Sequence, residues 1–156
     1  MTIHKFTVQL RQGSINIGCI QEQGAREYQE DTVGFTEIPA GETADKFLAA
    51  VADGMGGMAS GGFVSDYTVR NLLASDVNSP QELCEAVRRI SGEIAAGGSR
   101  GGTTLAAVCI LSDGVYFFSV GDSRIYLLRG GIMSQLTADE DYMSVLLDRV
   151  ISRELS

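Results

Sequence analysis

Phe47-Leu-Ala-Ala-Val-Ala-Asp53-Gly54-Met55-Gly56-Gly57-Met58-Ala59-Ser60-Gly61-Gly62 runs from an apolar strand into a glycine-dense loop, and an amphipathic segment starts at Phe63. Asp53 stands where the strand ends. Glycine has no Cβ and tolerates φ > 0, so such a loop lets backbone come close to a ligand. Two further acids sit in comparable settings: Asp31 within Arg26-Glu-Tyr-Gln-Glu30-Asp31, and Asp122 within Ser119-Val-Gly121-Asp122-Ser123-Arg124. Carboxylates beside open backbone suit a hard cation of the Mg²⁺ or Mn²⁺ class. Two other readings of the loop stay open. One is a tight strand-to-helix connection. The other is a dinucleotide loop, because Gly54-x-Gly56-x-x-Ala59 follows a strand and Asp76 lies at about the spacing of a ribose contact. A Walker loop is excluded, since no Gly-Lys-Ser/Thr follows. Asp53 would point negative charge at a pyrophosphate, and the other two carboxylates favour the cation.

The chain has 156 residues, 44% hydrophobic and 21% charged, enough for a single domain (1–156) with one sizeable core. Its formal net charge of −8 argues against nucleic acid or an anionic membrane surface as partner. No apolar run is long enough to span a bilayer, and the N-terminus has no signal-peptide pattern. Cys19, Cys84 and Cys109 are far apart and odd in number, so reduced, buried, structural roles and a cytoplasmic home are expected. His4 is the only histidine, which removes histidine-rich zinc sites and Ser-His-Asp catalysis.

Working outward, Ile15–Gln21 and Thr32–Ile38 read as strands, with a short edge strand at Thr7–Gln9. Phe63–Ser75 reads as a helix carrying Val64, Tyr67, Leu72 and Leu73. Ser79-Pro80-Gln81-Glu82 opens a second helix: an N-cap serine, proline at the first helical position and a capping-box glutamate. Leu83, Ala86, Val87, Ile90 and Ile94 continue it at helical spacing. Gly97-Gly98-Ser99-Arg100-Gly101-Gly102 ends it in a second glycine loop. Thr103–Leu111 is apolar on both faces, as a strand covered on both sides would be. Ser112-Asp113-Gly114, Gly121-Asp122-Ser123 and Arg129-Gly130-Gly131 then punctuate an antiparallel meander through Val115–Val120, Arg124–Leu128 and Ile132–Leu136. A last helix is expected with Met143, Leu146, Leu147, Val150 and Ile151 on one face. Strands, two helices, a meander and a helix make an α+β fold of two packed antiparallel sheets with helices outside them.

Four blocks in order resemble the metal-dependent Ser/Thr protein phosphatases, the protein phosphatase 2C (PP2C) family, in its bacterial form. They are Arg26-x-x-Gln29-Glu30-Asp31, Val51-Ala-Asp53-Gly54-Met55-Gly56-Gly57, Gly102-Thr103-Thr104 and Val120-Gly121-Asp122-Ser123-Arg124-Ile125-Tyr126; Leu136-Thr137-x-Asp139 is a weaker fifth. The resemblance covers about Ile15 to Leu155. It implies a four-layer α-β-β-α sandwich with a binuclear Mg²⁺ or Mn²⁺ centre at one end of the sheets. Asp53 would bridge both ions and the Gly54 carbonyl would bind one. Glu30 and Asp31 would act mostly through bound waters, Asp122 would help a third ion, and Arg26 would hold the substrate phosphate. The implied reaction is hydrolysis of phosphoserine and phosphothreonine in proteins by a water that the ions acidify, in opposition to a Ser/Thr kinase. No nucleophilic side chain is required, and none is evident.

The chain departs from the family pattern at two places. Bacterial members usually have His where Met58 stands, and often Glu where Gly62 stands. The family's later Asp-Gly and Asp-Asn motifs have no counterpart before Ser156. The expectation is therefore a domain incomplete at its C-terminus, either a fragment or a shortened relative. A pseudophosphatase that binds or regulates without turnover is the competing function. Missing strands would leave sheet edges and apolar faces to be covered, so self-association through those edges is expected.

Overall fold

The apolar run that opens the glycine loop is the central strand of the fold. The computed structural model describes residues 2–39, 41–56 and 60–140. In it, β1 (Thr2–Leu10), β2 (Gly13–Gln21) and β3 (Asp31–Phe35) precede this strand, β4 (Phe47–Met55). Two helices follow, α1 (Ser60–Leu73) and α2 (Pro80–Ala96). Then come β5 (Gly102–Thr103), β6 (Leu105–Leu111), β7 (Gly114–Val120), β8 (Tyr126–Arg129) and β9 (Ile132–Gln135). The main sheet has the order β3-β4-β6-β7, all antiparallel, with β5 pairing to the end of β4.

Side-chain alternation sets the layers. Leu48, Ala50 and Ala52 of β4 share one face with Leu105, Ala107, Cys109 and Leu111 of β6, and this face is covered by Val69 and Leu72 of α1 and Leu83, Ala86 and Ile90 of α2. A one-residue slip would turn the whole set outward, so burial of this face fixes the register. On the other face, Phe47, Ala49, Phe35 and Ile110 pack beneath the β1–β2 hairpin through Val8, Leu10, Phe6, Ile15 and Ile17. The result is helices, main sheet and second sheet: three of the four expected layers. The last expected helix, at Met143–Ile151, lies outside the described residues.

Several boundaries differ from expectation for physical reasons. The first strand is longer than Thr7–Gln9, because β1 pairs with β2 along its whole length. α1 starts one turn earlier, at Ser60, although Ser60-Gly61-Gly62 has poor helix propensity. Close packing of that turn overrides propensity. The serine cap of α2 forms as expected, with Ser79 Oγ accepting from the Glu82 N–H. The Glu82 carboxylate accepts instead from the Asn78 N–H (2.7 Å), one residue beyond the reciprocal box. The meander breaks at Gly121–Asp122–Ser123: β8 pairs with β9 as a separate hairpin and does not continue from β7. Of the cysteines only Cys109 is fully buried; Cys19 and Cys84 are half-buried, and all three are free thiols.

The hairpin covers only one end of the main sheet's second face. Val51, Val115 and Phe117 remain exposed there, and a crevice of about 630 Å³ runs between Ile17–Gln21, Val33–Phe35, Val51, Val108 and Ile125. Leu128, Ile132 and Met133 of the β8–β9 hairpin are exposed as well. No helix among the described residues is long and apolar enough to cross a membrane.

Candidate metal centre

Antiparallel pairing of β3 with β4 sets Asp31 directly opposite Asp53. Opposed residues on paired strands point to the same face, so the two carboxyls meet. The Asp53 carboxyl is pushed above its ordinary range. Burial is the largest cause, followed by the charge of Asp31, a hydrogen bond with it and the charge of Asp122; Arg26 acts in the opposite direction. Two carboxylates in one place cannot both ionise cheaply without a cation.

The backbone around this pair is held by atoms from several elements. The Gly54 N–H donates to the Glu30 carbonyl (3.1 Å), which also accepts from Ser65 Oγ (2.6 Å) on the buried side of α1. The carbonyl of Asp53 accepts from the Thr104 N–H (2.9 Å) and from Thr103 Oγ1 (3.0 Å). Glycine is required at Gly54 by this crowding: a Cβ there would stand 2.3 Å from the Gly61 carbonyl oxygen and 2.6 Å from that of Glu30. Gly62 is similarly tight, since a Cβ would come within 2.9 Å of the Gln29 carbonyl oxygen. The first turn of α1 thus seats on the strand end because it is made of glycine. Met58 lies outside the described residues.

Arg26 sits in the loop between β2 and β3. The Gln23 side-chain amide donates to the carbonyls of Arg26 (2.8 Å) and Glu27 (2.9 Å) and shapes that loop. The Arg26 side chain is 75% exposed, with Nη1 3.7 Å from Glu30 Oε2. Glu30 is mostly buried, and its Oε1 has no hydrogen-bond partner among the described residues. An orphaned, buried carboxylate oxygen beside a carboxylate pair fits a divalent cation or the water around one. Asp122 follows Gly121, whose φ of +86° lets the chain leave β7 sharply. Arg124, two residues on, forms a two-pronged bond to the Asp139 carboxylate (Nε–Oδ1 2.8 Å). That bond holds Asp139 below the usual carboxylate range.

Arg26, Glu30, Asp31, Asp53, Gly54 and Asp122 are therefore gathered at one end of the main sheet. They do not close on a single point: among the described residues no three acidic, histidine or cysteine side chains converge tightly enough to grip an ion. Asp31 and Asp53 meet, and Asp122 reaches Asp53 through its charge. The dinucleotide reading fails on position. Asp76 is paired with Lys46, at the far end of β4 from Gly54 and so roughly 25 Å away by strand rise. Sequence reasoning missed Gln23, Ser65 and the contact between Thr104 Oγ1 and Ser123 Oγ (2.6 Å). For Ser65 a signal existed, since it is a polar residue among the buried positions Val64, Thr68, Val69 and Leu72 of α1. Gln23 carried none.

No protein-family model matches the chain. Individual proteins do. The Ser/Thr protein phosphatase PstP of Mycobacterium tuberculosis is 36% identical over 112 residues, 65% of this chain and 22% of PstP. The Ser/Thr phosphatase Stp of Listeria innocua is 32% identical over 138 residues, 78% of this chain and 53% of Stp. The crystal structure of the PstP catalytic domain in complex with two manganese ions matches with a TM-score of 0.60 and 28% identity, over 95% of this chain and 59% of that one. The chain belongs to the bacterial PP2C-like phosphatase family. It spans about half the length of Stp and a smaller share of PstP. The layered sheets and helices are those of the PP2C-like fold.

Proposed function

We propose that this PP2C-like chain is a metal-dependent protein Ser/Thr phosphatase, or the N-terminal portion of one, acting on phosphoserine and phosphothreonine esters of proteins. The observation that carries the reading is the Asp31–Asp53 pair, two carboxyls opposed across a strand pair, with the Asp53 carboxyl pushed up by its neighbour. Such a pair is stabilised by divalent cations of the Mg²⁺ or Mn²⁺ class, and Asp31, Asp53, the Gly54 carbonyl and Asp122 would hold them, with Glu30 Oε1 accepting from their water shell. When bound, the ions supply the Lewis acidity that turns water into a nucleophile at neutral pH.

The chain's own part is positioning and charge. Arg26 is exposed at the rim of the same cluster, and its planar guanidinium suits two phosphate oxygens at once. Its attraction for a phosphate dianion also offsets the repulsion that the carboxylates exert on an incoming anion. Asp53 anchors the cluster because its backbone carbonyl is held from two directions, by Thr103 and Thr104.

Hydrolysis of a phosphothreonine peptide with and without Mn²⁺, in the parent and in Asp53→Asn, tests the reading. Mn²⁺-dependent phosphate release that Asp53→Asn abolishes supports it. Mn²⁺ binding without turnover would make this chain a binding module, and turnover indifferent to Mn²⁺ and to Asp53 would refute the assignment.

A further inference from the structure

We propose that Thr104 is a positioning residue that holds Asp53 and Asp122 at a fixed separation, and thereby sets how tightly the centre binds a divalent cation. The inference rests on the metal reading above. Thr104 is 2% exposed and lies at the entry to β6. Its Oγ1 accepts from the Asp53 N–H (3.0 Å), while its own N–H donates to the Asp53 carbonyl (2.9 Å). Both backbone groups of Asp53 are therefore held by one residue. The same Oγ1 lies 2.6 Å from Ser123 Oγ. Because Oγ1 already accepts from Asp53, its proton is free to go to Ser123, the residue after Asp122. The Thr104 methyl completes the contact: a Cβ on Gly121 would stand 3.0 Å from Thr104 Cγ2, so the turn before Asp122 rests on it.

One side chain thus bonds to the residue carrying one carboxylate and to the neighbour of another, and links the end of β4 to the loop that leaves β7, two strands away in the same sheet. Ionic sites depend on such supporting hydrogen bonds, whose loss typically costs about 10- to 100-fold in metal affinity. Thr103 cannot substitute, because its hydroxyl reaches only the carbonyl of Asp53 and of Thr104.

The test compares Thr104→Val, which keeps the shape and removes the hydroxyl, with Thr104→Ser, which keeps the hydroxyl. Mn²⁺ affinity is read by electron paramagnetic resonance of free Mn²⁺ on the full chain, and amide hydrogen exchange is followed without metal. Thr104→Val should weaken Mn²⁺ binding about 10- to 100-fold and Thr104→Ser should restore most of it. The Asp53 amide, deprived of its acceptor, should exchange at least about tenfold faster in Thr104→Val alone. Leu111→Ala, a cavity variant at the far end of β6, should melt lower yet bind Mn²⁺ like the parent. If Thr104→Val does not fold, Ser123→Ala cuts the other end of the link and should weaken Mn²⁺ binding in the same direction. Unchanged affinity and exchange in a folded variant overturn the positioning role and leave the metal reading standing, as does an equal loss in Leu111→Ala. A parent with no affinity for Mn²⁺ at millimolar concentration overturns both.

Discussion

Gly54→Ala tests the close contact between the strand end and the first helical turn. The added Cβ would lie 2.3 Å from the Gly61 carbonyl oxygen, 2.4 Å from its carbon and 2.6 Å from the Glu30 carbonyl oxygen. All three are backbone atoms, so no side chain can swing away. Comfortable contact between such atoms needs about 3.5 Å, and α1 or the Glu30 segment must retreat by roughly 1 Å. Overpacking of this kind costs about 1–3 kcal/mol. The shift also breaks or stretches the bond from the Gly54 N–H to Glu30, worth about 1 kcal/mol. Alanine stiffens the unfolded chain and returns about 0.4–1 kcal/mol. The net loss is about 1–3.5 kcal/mol, a fall in Tm of roughly 2–14 °C for a chain of this size. Scanning calorimetry without metal gives the number. Gly18→Ala in β2, where a Cβ meets nothing within 4 Å, is the control and should melt like the parent. If Gly54→Ala melts with Gly18→Ala, the glycines of α1 do not seat on the strand end, and the account of why this loop is glycine-rich is wrong.

Asp53→Asn should separate stability from function. An acid raised in the folded state contributes stability that is full below its unfolded value, near 3.8, and lost as pH rises through the raised folded value. The metal-free variant should therefore melt above the parent at neutral pH and converge with it near pH 4, while Mn²⁺-dependent turnover falls by orders of magnitude; thermal melts across pH and a phosphatase assay read both. Arg26→Ala should raise KM for a phosphopeptide and weaken inhibition by inorganic phosphate with almost no change in Tm, since an exposed pair of this kind contributes at most about 1 kcal/mol. A large Tm shift with normal phosphate inhibition would mean a structural role. Light scattering should find concentration-dependent association through the edge strand β7, and Phe117→Lys should reduce it; a strictly monomeric parent would show that Val115 and Phe117 are tolerated as open surface.

The elements that rest on long apolar patterns were legible. β4 and β6 appeared as apolar runs, and α2 announced itself through Ser79, Pro80 and its 3.6-residue spacing, because burial and capping act locally on the residues that display them. The acids were legible as well, since Asp31, Asp53 and Asp122 each stand at a strand end beside glycine or a turn. What could not be read was which strands pair. Arg124–Leu128 looked like the next strand of a meander, but Gly121 turns the chain away and the Arg124–Asp139 bond fastens β8–β9 as its own hairpin. That bond joins residues whose pairing no periodicity encodes. Ser65, polar on a buried helix face, and Thr104, within the Gly102-Thr103-Thr104 block, left a trace in the sequence, but their partners were hidden for the same reason: their hydroxyls act across 35 and 51 positions of sequence.

The start of α1 shows why the misreadings gather near the carboxylates. Ser60-Gly61-Gly62 is a poor helix opening by propensity, at about 1 kcal/mol per glycine relative to alanine. Larger residues would make a better helix and a worse contact, because Gly61 and Gly62 meet the backbone of Gly54 and Gln29 at distances that leave no room for a Cβ. That contact brings Ser65 within 2.6 Å of the Glu30 carbonyl and leaves Glu30 Oε1 buried without a partner among the described residues. Asp53 meanwhile faces a second carboxyl that raises its own. Each feature is unfavourable alone: weak propensity, an orphaned oxygen, a like-charge pair. All three lie within one cluster, whereas the helical core shows one of them, the buried Thr68 Oγ1 of α1 that has no partner among the described residues. Local conflicts concentrated in one place mark a site that needs something added. A divalent cation would relieve two of the three at once, since it would neutralise the pair and give Glu30 a hydrated partner. The glycines are what the fold concedes to bring those groups together.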